Sequence, residues 1–171
     1  MRKFENATIQ ELPQSVRDLI KANFNTERKE DKDPIFTKGF LITGPTGVGK
    51  TYILHALANH FRYSFNFENW VDLLQEFKDR MESGYTREAI SQLFDKNVLV
   101  LDDIGAEKVT EWSTERLYAI INKAYERNHI VLIATNLTPT ELREKYGDRI
   151  FSRLNEMCTV VELEGKDRRM Q

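Results

Sequence analysis

From Gly39 onward, short apolar runs alternate along the chain with longer segments whose apolar residues recur at helical spacing. Such alternation predicts βαβ units, and therefore a parallel sheet covered by helices. We predict strands at 40–43, 63–67, 98–101, 130–134 and 159–163. We predict helices between them at 50–61, 70–82, 87–94, 111–127 and 139–146. The expected fold class is α/β.

The pattern before Gly39 is different. A polar run at residues 25–33 ends at a proline and separates a lead-in, residues 1–34, from the predicted core, residues 35–171. Such polar composition is typical of a linker. Three apolar residues in the lead-in have helical spacing and predict a short helix that packs on the core: Val16, Leu19 and Ile20.

The first predicted strand and the first core helix are joined by a glycine-rich loop. It consists of Gly44, Pro45, Thr46, Gly47, Val48, Gly49, Lys50 and Thr51. This order fills every fixed position of the P-loop pattern, and the strand-to-helix context is the one in which that pattern binds nucleotides. We expect the backbone amides to hold the phosphates of ATP or ADP, Lys50 to contact the β and γ phosphates, and Thr51 to bind Mg²⁺.

An apolar run, Val98–Leu101, is followed directly by two carboxylates, Asp102 and Asp103. A wholly apolar strand belongs in the middle of a parallel sheet, and its last side chains reach the edge where ligands of open α/β folds bind. Alone, such a pair is more often a solvated loop or a helix cap. Beside a P-loop, Asp102 is expected to hold Mg²⁺, and Asp103 to orient or deprotonate the attacking water.

A second apolar strand, at residues 130–134, is followed by Thr135 and Asn136. An amide at this edge of the sheet can fix the hydrolytic water or contact the γ phosphate, so we expect Asn136 to act in catalysis. Its other common use is to cap a helix. Thr138 before Pro139 already has the pattern of an N-cap followed by proline in the first turn, so Asn136 is not needed for that task.

The composition narrows the function classes. The sequence has 171 residues, 40% of them hydrophobic, with a formal net charge of −2. This length predicts one domain, and no global positive charge marks a nucleic-acid-binding protein, so any DNA contact must come from a local patch. Cys158 is the single cysteine, and the first residues lack a signal-peptide pattern, so we expect a cytoplasmic protein without a membrane span.

Several segments together resemble a known family: GPTGVGKT, VLVLDDIGAE, VLIATN, GDRIFSRL and the terminal GKDRR. They are similar to the AAA+ domain of DnaC/DnaI-type helicase loaders and of the related IstB-type transposition ATPases. The resemblance implies a P-loop AAA+ fold whose five-stranded parallel sheet has the order 5-1-4-3-2, sandwiched by helices and without a substantial lid domain. It implies loading of a hexameric replicative helicase onto single-stranded DNA.

The same resemblance assigns roles to further residues. Asn136 matches the sensor 1 residue, Arg153 the arginine finger and Arg169 the sensor 2 arginine. A finger acts on the ATP of a neighbouring subunit, so Arg153 implies self-association. Arg149 lies four residues earlier on the same helical face and is the second candidate. Asp103 stands where many AAA+ ATPases have glutamate, which implies slow ATP hydrolysis in the isolated chain.

By the same resemblance, the predicted helix at 70–82 is similar in position to an inserted helix that lines a single-strand channel in related loaders and initiators. Candidate DNA contacts in and after it are Lys78, Arg80, Tyr85 and Arg87. Cations would contact phosphates and the tyrosine would stack on a base. The other interpretation is an amphipathic helix with a solvated charged face, which the acidic residues Glu76, Asp79 and Glu82 favour.

Three functions fit these observations. The first is an ATPase that loads a replicative helicase, and the second is a transposition helper ATPase that assembles on duplex DNA. The third is a small P-loop kinase that phosphorylates a metabolite. The arginines after Asn136 fall at finger and sensor positions rather than in a basic lid, which favours the first two functions.

Overall fold

The computed structural model describes residues 4–25, 35–60, 65–81, 86–96 and 98–165. The lead-in contains a 3-10 turn at Ile9–Glu11 and helix α1 at Gln14–Ala22, followed by two short antiparallel strands, β1 (Phe24–Asn25) and β2 (Ile35–Phe36). The remaining elements are β3 (Gly39–Thr43), α2 (Lys50–His60), β4 (Phe65–Asn69), α3 (Trp70–Met81), α4 (Thr86–Gln92), β5 (Val98–Ile104), α5 (Glu111–Glu126), β6 (Ile130–Thr135), α6 (Pro139–Tyr146), α7 (Asp148–Met157) and β7 (Cys158–Glu162).

The five long strands form one parallel sheet in the order β4-β5-β6-β3-β7. Numbered within the core, this is 2-3-4-1-5, which is the predicted order 5-1-4-3-2 seen from the opposite edge. The α/β class and the AAA+ strand order are therefore confirmed. Because all pairs are parallel, the carboxyl ends of β3, β5 and β6 meet at one edge of the sheet.

Side chains of the central strands alternate between the two faces of the sheet. Leu41, Leu99 and Ile133 lie in one buried cluster with apolar residues of α3, α5, α6 and α7. Phe40, Val100 and their neighbours lie in a second buried cluster with α2 and the lead-in. The result is a sheet with a helical layer on each side, and the described residues form no separate lid domain beyond it.

Several predicted boundaries differ from the observed ones. The strand predicted at 63–67 is observed at Phe65–Asn69 and runs up to α3, where Asn69 Oδ1 accepts hydrogen bonds from Val71 N at 3.0 Å and Asp72 N at 3.3 Å. Asn69 is thus both the last strand residue and the cap of α3, a dual use that periodicity does not reveal. Residues 26–34, most of the predicted linker, lie outside the described residues.

The lead-in is held against the core by two asparagines. Asn59 Nδ2, on α2, donates to the carbonyl oxygens of Phe4, Glu5 and Ala7 at 3.0, 3.2 and 3.1 Å. Asn23 Oδ1 accepts from Thr159 Oγ1, on β7, at 2.9 Å. These bonds and the buried apolar residues of α1 join the lead-in to the same face of the sheet as α2.

No helix in the described part of the chain combines the length and the apolar character that a membrane span requires.

Replacing Asn59 by alanine removes the donor that holds residues 4–7. We expect Asn59→Ala to lower the free energy of unfolding by about 1–2 kcal/mol, because three backbone carbonyls lose a shared hydrogen-bond donor. Amide exchange at residues 4–12 should also become faster. Urea unfolding and hydrogen exchange measure the two effects. Asn155→Ala, at an exposed position of α7, is the matched control. Equal stability of the two variants would contradict the assigned role of Asn59.

Candidate functional site

The loop between β3 and α2 has the backbone conformation that the glycine pattern requires. Gly44 has a φ of 145°, and a Cβ built there would lie 2.3 Å from the carbonyl oxygen of Leu163, so no side chain fits. Gly47 and Gly49 also have positive φ angles. The loop therefore turns tightly from the sheet edge into the first turn of α2, where amide groups and the positive end of the helix dipole face an anion.

Lys50 is the first residue of α2, and it is only 5% exposed. Its Nζ donates to the carbonyl oxygens of Gly44 and Pro45, each at 2.7 Å, and to Asn136 Oδ1 at 2.5 Å. An ammonium has three protons to donate, and three oxygens lie within hydrogen-bond distance of it here. The sequence-predicted residues Lys50 and Asn136, 86 positions apart, are thus in direct contact.

Thr51 and Asp102 also meet at this edge. Thr51 Oγ1 lies 3.3 Å from Asp102 Oδ1, which in addition accepts a hydrogen bond from Asp103 N at 3.0 Å. Asp102 is 5% exposed. Burial, followed by the neighbouring Asp103 carboxylate, raises the pKa of Asp102 to about 6. A nearby cation favours the ionised form of such a carboxyl, so the arrangement suits a metal ligand.

The donor set fits Mg²⁺ as it occurs in nucleotide sites. Mg²⁺ is usually held by one or two carboxylates together with waters and substrate phosphates, rather than by a cage of protein ligands. Asp102 and Thr51 supply one carboxylate and one hydroxyl next to the P-loop. Within the described ranges no group of three histidine, cysteine, aspartate or glutamate side chains forms another metal site.

Asp103 follows Asp102 at a break in the ladder between β5 and β6. Its φ is 59°, and the pairing register shifts between Leu101 and Ile104. The bulge turns the side chain of Asp103 out of the sheet, so that it is half-buried and lines the same cavity as Lys50. The structure therefore separates the two carboxylates, with Asp102 beside Thr51 and Asp103 facing the open space.

A cavity of about 460 Å³ lies in front of the P-loop. Its inner wall contains the predicted residues Thr46, Gly47, Gly49, Lys50, Thr51, Asp103 and Asn136. Its outer wall contains Phe4, Glu11 and Tyr52, which no sequence pattern indicated. Tyr52 Oη donates to the Glu11 carboxylate and accepts from Thr8 N at 3.2 Å, and so connects this wall to α2. Tyr52 directly follows the P-loop in the sequence, but no sequence pattern indicates that residues of the lead-in pack beside it.

Arg149 and Arg153 lie on α7 and are not among the described residues that line the P-loop cavity. The guanidinium carbon of Arg153 is 5.1 Å from the ring centroid of Tyr118 and 5.6 Å from that of Tyr125. Both arginines border an open cavity of about 450 Å³ beside α7. Within one chain the structure does not bring them to the predicted ATP site. The sensor 2 candidate Arg169 lies outside the described residues.

The DNA candidates are in different surroundings. Lys78 Nζ lies 5.5 Å from the ring centroid of Trp112, and the guanidinium carbon of Arg116 lies 5.7 Å from the same centroid. Arg80 instead forms an ion pair with Glu76 at 2.5 Å and donates to Gln92 Oε1 at 3.0 Å. Tyr85 lies outside the described residues, as does the side chain of Arg87.

Comparison with known proteins identifies the family of this chain. The model of the family described as "IstB-like ATP binding protein" matches residues 5–171. The replicative helicase loader DnaI of Bacillus subtilis is 26% identical over 148 residues, which are 77% of this chain and 48% of DnaI. A putative ATP-binding protein of insertion sequence IS5376 from Geobacillus stearothermophilus is 25% identical over 166 residues, 91% of this chain and 61% of that protein.

Solved structures agree with the fold. The crystal structure of the DnaC helicase loader superimposes with a TM-score of 0.77 at 24% identity, covering 96% of this chain and 100% of that chain. The chain spans about half the length of the curated DnaI relative it matches. Because the family model covers nearly the whole sequence and its P-loop lies at the carboxyl edge of an AAA+ sheet, the chain belongs to the IstB-like ATP-binding protein family.

Proposed function

We propose that this chain is a Mg²⁺-dependent ATPase that acts as the nucleotide switch of a replicative helicase loader. The observation that carries the proposal is the contact of Lys50 with Gly44, Pro45 and Asn136 at the inner wall of the cavity. It joins the P-loop to the end of β6 through one buried charge, as a site for a triphosphate requires. The similarity to DnaI supports the role in helicase loading.

In this proposal each residue at the sheet edge has one task. Lys50 and the loop amides bind the β and γ phosphates, and Thr51 and Asp102 would hold Mg²⁺, which would neutralise charge on the phosphate oxygens. Asp103 orients the attacking water or accepts its proton, and Asn136 fixes the same water. The side chain of Asp103 is one methylene shorter than that of glutamate, so we expect slow ATP hydrolysis. Slow hydrolysis suits a timing switch.

Arg153 completes the site of a neighbouring copy of the chain. It borders an open cavity on α7 rather than the P-loop cavity of its own chain, and a guanidinium supplied in trans stabilises charge on the transferring phosphoryl group. The rings of Tyr118 and Tyr125 lie beside the Arg153 guanidinium and stabilise it by cation–π contact. Arg149, one turn earlier, supports it.

The contact with single-stranded DNA is assigned to the cluster Lys78, Trp112 and Arg116. Lys78 and Arg116 both lie over the indole of Trp112, which holds the two cations close together, so neighbouring phosphates can be bound by this pair. Arg80 is a weaker candidate because Glu76 already neutralises its charge. A second function, a transposition helper that assembles on duplex DNA, is favoured by the similarity to the IS5376 protein over 91% of the chain.

Two variants separate nucleotide binding from activation by a neighbouring subunit. Lys50→Ala should weaken ATP binding roughly 100-fold, because charge-assisted hydrogen bonds to the phosphates are lost. Arg153→Ala should bind ATP normally and lose only the rise of hydrolysis per subunit with protein concentration. Calorimetry and phosphate release measure the two properties, and Arg127→Ala, an exposed arginine at the end of α5, is the control. An equal loss of ATP affinity in both variants would refute the trans finger.

The metal assignment predicts a selective defect. For the wild-type chain, removing Mg²⁺ with EDTA should lower the affinity for ATP. In Asp102→Asn this difference should shrink severalfold, because a neutral amide binds Mg²⁺ less well than a carboxylate. Glu162→Gln, an exposed carboxylate at the end of β7, should respond to EDTA as the wild type does. An undiminished Mg²⁺ effect in Asp102→Asn would remove this residue from the metal site.

The DNA assignment predicts a change in salt dependence. Loss of two phosphate contacts should reduce the slope of log affinity for single-stranded DNA against log salt by roughly 1.4 in Lys78→Ala plus Arg116→Ala. The control, Lys21→Ala plus Lys145→Ala, removes two exposed cations elsewhere and should leave the slope unchanged. If the slope stays the same in the first variant, the cluster does not bind the DNA backbone. Tighter binding of the wild type to duplex than to single-stranded DNA would instead favour the transposition helper.

A further inference from the structure

The bulged end of β5 and the turn after it, residues 102–107 and here called the loop, have an uncommon backbone. Asp103, a residue with a side chain, has a φ of 59°, and Gly105 has a φ of 89°. Ala106 N closes the turn with a hydrogen bond to Asp103 O at 3.1 Å. A left-handed conformation is less favourable at a residue with a side chain than at glycine, although aspartate adopts it more readily than most, and neighbouring contacts stabilise it. The contacts that enforce it therefore decide where the Asp103 carboxylate is held.

One side of the loop is fixed by the end of β6. Thr135 Oγ1 donates to Ile104 O at 2.6 Å and accepts from Leu137 N at 3.1 Å. A Cβ on Gly105 would lie 2.5 Å from Leu137 Cδ1, so the loop backbone is in close contact with this neighbour. These contacts fix Ile104 and Gly105 on the side that faces β6. The opposite, outer side of the loop is held by other residues.

Glu107 fixes the outer side. Its Oε2 accepts a hydrogen bond from Gly105 N at 3.0 Å, and its Oε1 accepts one from Tyr146 Oη at 2.5 Å. Tyr146 is 4% exposed. Burial, followed by the contact with Glu107, raises the pKa of the Tyr146 hydroxyl, so the group stays protonated and acts as a donor. Both carboxylate oxygens of Glu107 are therefore engaged, one by the loop and one by α6.

Neither residue touches the nucleotide cavity. Asp103 and Ala106 line the cavity in front of the P-loop, whereas Glu107 and Tyr146 are not among its lining residues. Tyr146 is the last residue of α6, and only Gly147 separates it from α7, which carries Arg149 and Arg153. The hydrogen bond between Glu107 and Tyr146 thus joins the loop of the candidate base directly to the helix pair that carries the candidate finger.

We propose that Glu107 and Tyr146 are positioning residues that hold Asp103 in the conformation needed for ATP hydrolysis. The inference rests on the proposed ATPase function and extends it to two residues outside the P-loop, the metal pair and the finger. Glu107 orients the loop through Gly105, and Tyr146 fixes the carboxylate of Glu107. A residue that only stabilised the fold would change the unfolding midpoint and leave the rate constant of hydrolysis unaltered.

Three variants test the proposal in the full chain. Tyr146→Phe keeps the ring and removes the hydroxyl, and should lower kcat about tenfold with the KM and Kd for ATP unchanged. Glu107→Ala loses both hydrogen bonds and should lower kcat further. Glu107→Gln restores activity toward that of the wild type, because the amide can still accept from Gly105 N and donate to Tyr146 Oη. Glu144→Ala, an exposed carboxylate on α6, is the control and should behave as wild type.

Hydrogen exchange at Gly105 without nucleotide tests, independently of hydrolysis, whether Glu107 and Tyr146 hold the loop in place; this restraint is called the bracing. The Gly105 amide should exchange at least about tenfold faster in Tyr146→Phe and Glu107→Ala than in the control. Unchanged exchange overturns the bracing, and faster exchange with an unchanged kcat overturns its role in positioning Asp103. A wild-type chain that binds but does not hydrolyse ATP refutes the proposed ATPase and, with it, the catalytic part of the inference, while the exchange result still decides the bracing.

Discussion

The buried ammonium of Lys50 is the interaction on which the architecture of the site depends. A charge that is 5% exposed is tolerated only where its protons are accepted, and here two P-loop carbonyls and the amide of Asn136 accept them. The requirement ties the first turn of α2 to the loop after β6. It is met only if β3 and β6 are neighbours and parallel, as they are in this sheet.

The same edge of the sheet also carries two carboxylates, those of Asp102 and Asp103, near the ammonium of Lys50. Asp102 is buried beside Thr51, and burial together with the neighbouring Asp103 carboxylate raises its pKa to about 6. Asp103, one residue later, faces the cavity because the chain bulges between β5 and β6. A divalent cation beside Asp102 would favour the ionised carboxylate, and a triphosphate beside Lys50 would offset the charge of the ammonium, which is the basis for proposing that Mg²⁺ and the triphosphate bind together.

Glycine spacing and apolar strands are local signals, and they predicted the parallel sheet and the inner wall of the cavity, whereas the strand order was implied by the resemblance to helicase loaders. The outer wall was not predicted, since Phe4, Glu11 and Tyr52 meet only after the lead-in packs on α2. Nor was the bracing by Glu107 and Tyr146, which joins residues 39 positions apart through a single hydrogen bond. Local patterns report what a segment is, whereas contacts between distant segments depend on how the layers are assembled.

The central claim is that the cavity in front of Lys50 binds a nucleoside triphosphate together with Mg²⁺. A crystal structure of the chain grown with Mg²⁺ and a non-hydrolysable ATP analogue tests it most directly. The account predicts phosphate density against the amides of Gly47 to Lys50 and a metal ion between the phosphates, Thr51 and Asp102. An empty loop, or nucleotide bound elsewhere on the folded chain at saturating concentration, would contradict it.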